Sequence, residues 1–214
     1  MTLWTDFFVL VLVLTNFRLL ASSRLTAMIE TMVLQAAALT VIPLTLAGNP
    51  WTLRLLLFLL VTFLVKGVLL PWLLRRTMRA ADVQREIEPF IGYNVSILIG
   101  IALLGLCFMI LHPLRSAAAP ASGSLLPGAL FTTLTGLLII VSRRKALTQV
   151  VGYLAMENGI YAFGAALAVK EPMLVEMGVL LDVFVAIFVM GITIYQINRE
   201  FDHIDTDRLS ELKD

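Results

Sequence analysis

Residues 125–168 read LLPGALFTTLTGLLIIVSRRKALTQVVGYLAMENGIYAFGAALA. Two apolar runs, 125–142 and 146–168, are separated only by Arg143-Arg144-Lys145. A hydrocarbon core about 30 Å thick is crossed by roughly 20 residues of helix, so the stretch reads as two antiparallel spans joined by a basic turn. The second span carries Glu157 at its centre, where an ionised carboxylate is costly unless it is paired or hydrated.

Further runs of this kind lie at 3–21, 25–47, 52–74, 90–112 and 172–196. Together they predict an all-α, polytopic integral membrane protein with seven transmembrane helices. The breaks carry turn chemistry or charge, as in Gly48-Asn49-Pro50, the stretch from Arg75 to Glu88, Pro120 to Gly123, and Lys170-Glu171-Pro172. Lys and Arg resist translocation, and here they fall into two sets. Arg18, Arg24, Arg75, Arg76, Arg79, Arg85, Arg143, Arg144, Lys145, Arg199, Arg208 and Lys213 would lie on one side, against Arg54, Arg115 and Lys170 on the other. The larger set marks the cytoplasm, which puts the N-terminus outside and the C-terminus inside.

Composition agrees with this reading. The chain of 214 residues is 59% hydrophobic and only 14% charged, against about 25% charged in an ordinary soluble domain. A net charge of +1, with its basic residues dispersed, gives no nucleic-acid footprint. The expected surroundings are the lipid bilayer. Cys107 is the single cysteine, and His112 and His203 fall at a helix end and in the tail, so no metal site is expected from these residues. The first apolar run lacks a basic leader and a cleavage site, and reads as a spanning helix that begins the mature chain at or near Met1. No phosphate loop, nucleophile triad or dinucleotide fingerprint occurs.

Depth singles out three residues. At 1.5 Å of rise per residue, Glu157 lies about 16 Å below the start of its span and Asp182 about 15 Å below the start of the next. Lys66 lies about 12 Å from the cytoplasmic end of the third span. Such groups either stay neutral or face protein and water, and both conditions suit a proton relay; the plainer role is an interhelical hydrogen bond that only holds the bundle. One turn either side of Glu157 stand Tyr153 and Tyr161, with Asn158 adjacent, all able to hydrogen-bond the acid or order water beside it. Gly178 and Ala186 flank Asp182 and would let another helix approach. Lys66 is long enough to snorkel to the interface, but Gly67 and Pro71 predict a bend beside it that frees backbone acceptors. Glu30 and Glu176 are expected at the interfaces, and Asp6, Arg18 and Arg54 at helix ends.

A weak parallel repeat lays Gln35 on Glu157 and Lys66 on Asp182. It divides the chain into a three-helix unit at 1–88, a connecting helix and linker at 89–122, a second three-helix unit at 123–198 and a tail at 199–214.

The run Gly152-Tyr153-Leu154-Ala155-Met156-Glu157-Asn158-Gly159 resembles the hydrogenase-4 component E family. Ser142-Arg143-Arg144, Glu171-Pro172, Leu174-Val175-Glu176, Gly178, Asp182 and Ala186 to Met190 continue the likeness. Lys66, Val68-Leu69-Leu70 and the tail around Asp205, Leu209 and Leu212-Lys213 extend it. The last three helices are similar to subunit K of respiratory complex I and to the small C component of Mrp-type cation antiporters. The resemblance implies a non-catalytic subunit of the bacterial or archaeal cell (inner) membrane, seated between antiporter-like subunits and a hydrogenase- or quinone-facing module. Nickel–iron and iron–sulfur centres would then belong to partner subunits. It assigns Glu157 and Asp182 to a proton path, with aspartate at 182 where subunit K has glutamate. An antiporter subunit with no redox module and a purely structural scaffold are the other expectations.

Overall fold

The computed structural model describes residues 2–46, 53–80, 89–113, 123–167 and 191. Apart from residue 191, span 172–196, with Asp182 and Glu176, and the tail lie outside the described residues. What is described is helical: α1 (Thr2–Ala21), α2 (Leu25–Leu46), α3 (Leu53–Phe63), a π-helical segment (Leu64–Leu69), α4 (Leu70–Ala80), α5 (Tyr93–Ile110), α6 (Leu125–Ser142) and α7 (Ala146–Leu167). Among these residues five helices are long and apolar enough to cross a membrane, α3 to α4 counting as one span. The α7 helix is of comparable length, but Gln149, Glu157 and Asn158 lower its apolarity.

The third helix runs on to Ala80, past the end at 74 that hydropathy predicts. Arg75, Arg76 and Arg79 are therefore exposed helical side chains, while Leu74 and Thr77 on the other face are buried. Charge ends an apolar run without ending a helix, because an amphipathic segment keeps its backbone bonds. Next to Lys66 the expected bend takes the form of a π turn. The Leu70 N–H bonds the Val65 carbonyl five residues back, a wider spacing that accommodates the missing donor of Pro71.

Two apolar layers enclose one polar layer. The first layer gathers Leu19, Leu20, Leu25, Met28, Ile29, Met32, Leu70, Leu74, Ile139, Leu147, Val151 and Leu154. The second gathers Val9, Leu12, Leu39, Ile42, Leu125, Leu126, Ala129, Tyr161 and Ala162. Along α1 the order is second layer then first, and along α2 first then second; α6 and α7 repeat this alternation, so each of these pairs is antiparallel. Between the layers fall Asn16, Gln35, Lys66, Thr132, Glu157 and Asn158, all buried. At the outer surface Arg18 pairs with Glu30 at 3.3 Å, both half exposed, and Ser124 donates to Asp6.

The α6 and α7 helices meet backbone to backbone. A Cβ on Gly136 would fall 2.3 Å from the Met156 nitrogen, and one on Gly159 would fall 2.4 Å from the Thr133 nitrogen. With lipid outside as apolar as the side chains inside, close contact of this kind is what holds membrane helices together.

Arg143, which the sequence places in the basic turn between two spans, is drawn into the bundle. It is fully buried. Its Nη2 donates to the Leu20 carbonyl at 2.9 Å and its Nη1 to the Ile91 carbonyl at 3.2 Å, while the guanidinium sits 4.4 Å from the Tyr93 ring centroid. Leu20 lies in the last turn of α1, where carbonyls have no partner within the helix, so the planar fork satisfies a helix end and ties α1 to the entry of α5. The Ser142 carbonyl at the end of α6 accepts from the Phe90 N–H at 2.9 Å.

Gly136→Ala is expected to destabilise the protein by about 2 kcal/mol through overpacking. Gly105→Ala, where an added Cβ meets nothing within 4 Å, is expected to be neutral or to stabilise by up to about 1 kcal/mol. Thermal unfolding of the full chain in detergent compares the two.

Candidate functional site

The polar layer converges on one ion pair. Lys66 and Glu157 are 91 residues apart in the chain, yet Lys66 Nζ donates to Glu157 Oε1 at 2.9 Å. Their side chains are only 3% and 2% exposed. The π turn presents Lys66 to the bundle interior, and the glycine-mediated approach of α6 fixes the position of α7, which carries Glu157. Lys66 also donates to Asn158 Oδ1 at 3.3 Å and lies 5.5 Å from the Tyr161 ring centroid, a cation–π distance. Lys66 therefore does not snorkel.

Asn158 extends the site across the bundle. Its Nδ2 donates to Gln35 Oε1 at 3.2 Å. Gln35 Nε2 in turn donates to Asn16 Oδ1 at 2.9 Å and to Thr15 Oγ1 at 3.1 Å, and Asn16 Nδ2 donates to Thr132 Oγ1 at 2.8 Å. Every side chain in this row is buried. A pocket of about 10 Å³ borders Lys66 and Asn158 and is lined also by Met32, Leu70, Pro71, Leu74 and Leu154. That is close to the space of a single water.

Of the residues singled out by sequence, Lys66, Glu157, Asn158, Gln35 and Tyr161 come together. Tyr153 is half-buried and packs against the first apolar layer. Asp182 lies outside the described residues. Thr15, Asn16 and Thr132 escape sequence reasoning because short polar residues are common in membrane helices and carry no charge to flag them.

A buried ion pair costs much desolvation, and most of that cost becomes visible when one partner is removed. Charge, burial and an adjoining water-sized space are the ingredients of a group that can exchange a proton inside a membrane. The fold and site thus define an all-helical membrane protein built around a buried lysine–glutamate pair.

No family model matches the chain, and no solved structure does. Among curated proteins, Hydrogenase-4 component E of Escherichia coli K12 is 32% identical over 162 residues, covering 75% of this chain and 74% of the relative. The Shigella flexneri protein of the same name matches equally. Uncharacterized protein Rv0085 of Mycobacterium tuberculosis is 31% identical over 204 residues, covering 95% of this chain and 93% of the relative. The chain belongs to the hydrogenase-4 component E family.

Lys66→Met is expected to cost about 3 kcal/mol or more, because it leaves Glu157 without its cation, while Lys66→Met combined with Glu157→Leu costs less than either single change. A double-mutant cycle on thermal unfolding in detergent checks this.

Proposed function

We propose that the chain is a non-catalytic membrane subunit of a hydrogenase-4-like, complex I-related redox complex, and that it contributes Lys66, Glu157 and Asp182 to a proton-translocation path. The observation that carries this reading is the buried ion pair of Lys66 and Glu157 at 2.9 Å. Family membership supports the setting, since the relatives are named as a component of hydrogenase-4.

In this reading Glu157 and Lys66 form a charge-neutral holding point. A proton arriving at Glu157 neutralises the carboxylate and weakens its hold on the ammonium; departure of the proton restores the pair. Asn158 keeps a second acceptor on Lys66 during the exchange, and Tyr161 offers its ring face to the cation. Asp182 is the next acid along the path. Nickel–iron and iron–sulfur centres reside in partner subunits, electron transfer there supplies the energy, and antiporter-like subunits adjoin this chain in the cell membrane. The ends bearing Arg18, Arg24, Arg75 and Arg144 face the cytoplasm, with the N-terminus outside.

Glu157→Gln keeps the size of the side chain and one acceptor oxygen for Lys66, and removes its ability to take up a proton. Redox-linked proton translocation by the purified complex in liposomes is expected to fall at least tenfold, with its subunit list unchanged by mass spectrometry. An assembled variant that translocates like the parent overturns the proton role, and loss of assembly assigns Glu157 to scaffolding.

A further inference from the structure

The row of side chains behind Lys66 has a direction, and that direction is set far from the ion pair. Thr132 Oγ1 lies 2.8 Å from the Gly128 carbonyl oxygen. A carbonyl can only accept, so the hydroxyl hydrogen is spent there and Thr132 can only accept from Asn16. Asn16 must therefore turn its Nδ2 toward Thr132 and its Oδ1 toward Gln35. Gln35 must then offer Nε2 to Asn16 and Oε1 to Asn158, which leaves Asn158 with Nδ2 toward Gln35 and Oδ1 toward Lys66.

A second lock acts on the middle of the row. Thr15 Oγ1 donates to the Leu12 carbonyl at 2.8 Å and so can only accept from Gln35 Nε2, the same orientation that Thr132 imposes. Two backbone carbonyls, on α1 and α6, thus fix the sense of three carboxamides on α1, α2 and α7. Reversing the row would aim Asn158 Nδ2 at the ammonium of Lys66, setting donor against donor in a buried site and leaving a polar group unsatisfied.

We propose that Asn16 and Thr132 are positioning residues which, through Gln35, hold Asn158 Oδ1 toward Lys66 and so keep the ammonium seated between Asn158 and Glu157. Its functional meaning rests on the proton-translocation reading, but the positioning itself does not. The row does not carry protons, because a carboxamide has none to exchange readily near neutral pH. It supplies a fixed dipole whose negative end faces the cation, in surroundings where hydrogen-bonded groups polarise one another.

The test reads the contact directly. The full-length chain, labelled with ¹⁵Nζ-lysine and ¹³Cγ-asparagine, is reconstituted in lipid bilayers, and the dipolar coupling between Lys66 and Asn158 is measured by solid-state NMR, with Lys66→Met assigning the signal. Thr132→Val, which keeps the shape and removes the hydroxyl, leaves Thr15 as the remaining lock and is expected to reduce the population in contact by roughly threefold, within the worth of one hydrogen bond between neutral groups. Thr132→Ser restores the acceptor and the parent coupling. Should Thr132→Val fail to fold, Thr15→Val removes the other lock and is expected to weaken the coupling by about half. Parent-like coupling in folded Thr132→Val, or in Thr15→Val where the first variant does not fold, overturns the inference, as does failure of Thr132→Ser to restore it. Because the measurement needs no turnover, its outcome is separate from that of Glu157→Gln in proton translocation.

Discussion

An ammonium and a carboxylate cannot enter hydrocarbon separately at an acceptable cost, and the interior of this protein is arranged around that fact. Lys66 and Glu157 offset each other's desolvation only because they lie within hydrogen-bond distance. Asn158 and, behind it, Gln35 supply further donors and acceptors near them. The apolar layers on either side seal this polar stratum from both membrane faces. A helix that lost its place would expose part of the stratum to lipid, so the polar layer fixes the mutual register of α1, α2, α6, α7 and the π turn together.

The two sides of the ion pair are held by different means. Glu157 stands on a helix pressed against its neighbour, backbone against backbone at Gly136 and Gly159 and with the Ile139 side chain seated on Gly152. Lys66 stands on a helix whose regular hydrogen bonding is interrupted at the same residue, beside a water-sized cavity. A rigid carboxylate therefore faces a lysine on a locally rearranged backbone. Any change in their separation is easier to accommodate on the lysine side, where the helix already departs from α geometry.

Much of this is legible in the sequence, for a plain reason. A bilayer demands helices of one length with their backbone groups satisfied internally, so apolar runs mark helices closely, and α1, α2, α6 and α7 fall within a residue or so of the hydropathy limits. Lys66 and Glu157 stand out because charge is rare at that depth. Arg143 is misleading because a basic residue between two spans looks solvated; the carbonyls that bury it belong to Leu20 and Ile91, distant in the chain and unmarked by their side chains. The end of the third helix is hidden because hydropathy reports contact with lipid, and α4 continues as a helix beyond it. Asn16 and Thr132 escape notice because their importance lies in orientation, which is a property of the assembled row. Gly136, Gly152 and Gly159 show as small residues in the sequence, but a facing backbone is needed before smallness means contact.

The π turn at Leu64–Leu69 also sets a rotational phase. It holds one residue more than the α-helical turn it replaces, and each residue advances an α-helix by about 100°. The segment from Leu70 to Ala80 is thus rotated by that amount relative to a continuous α-helix from Leu53. With this offset Lys66 faces the polar layer, Leu70 and Leu74 face the first apolar layer, and Trp72, Arg75 and Arg76 face outward. The surplus residue is thus absorbed within one turn, and a single helix serves the buried charge along one flank and the membrane surface along the other.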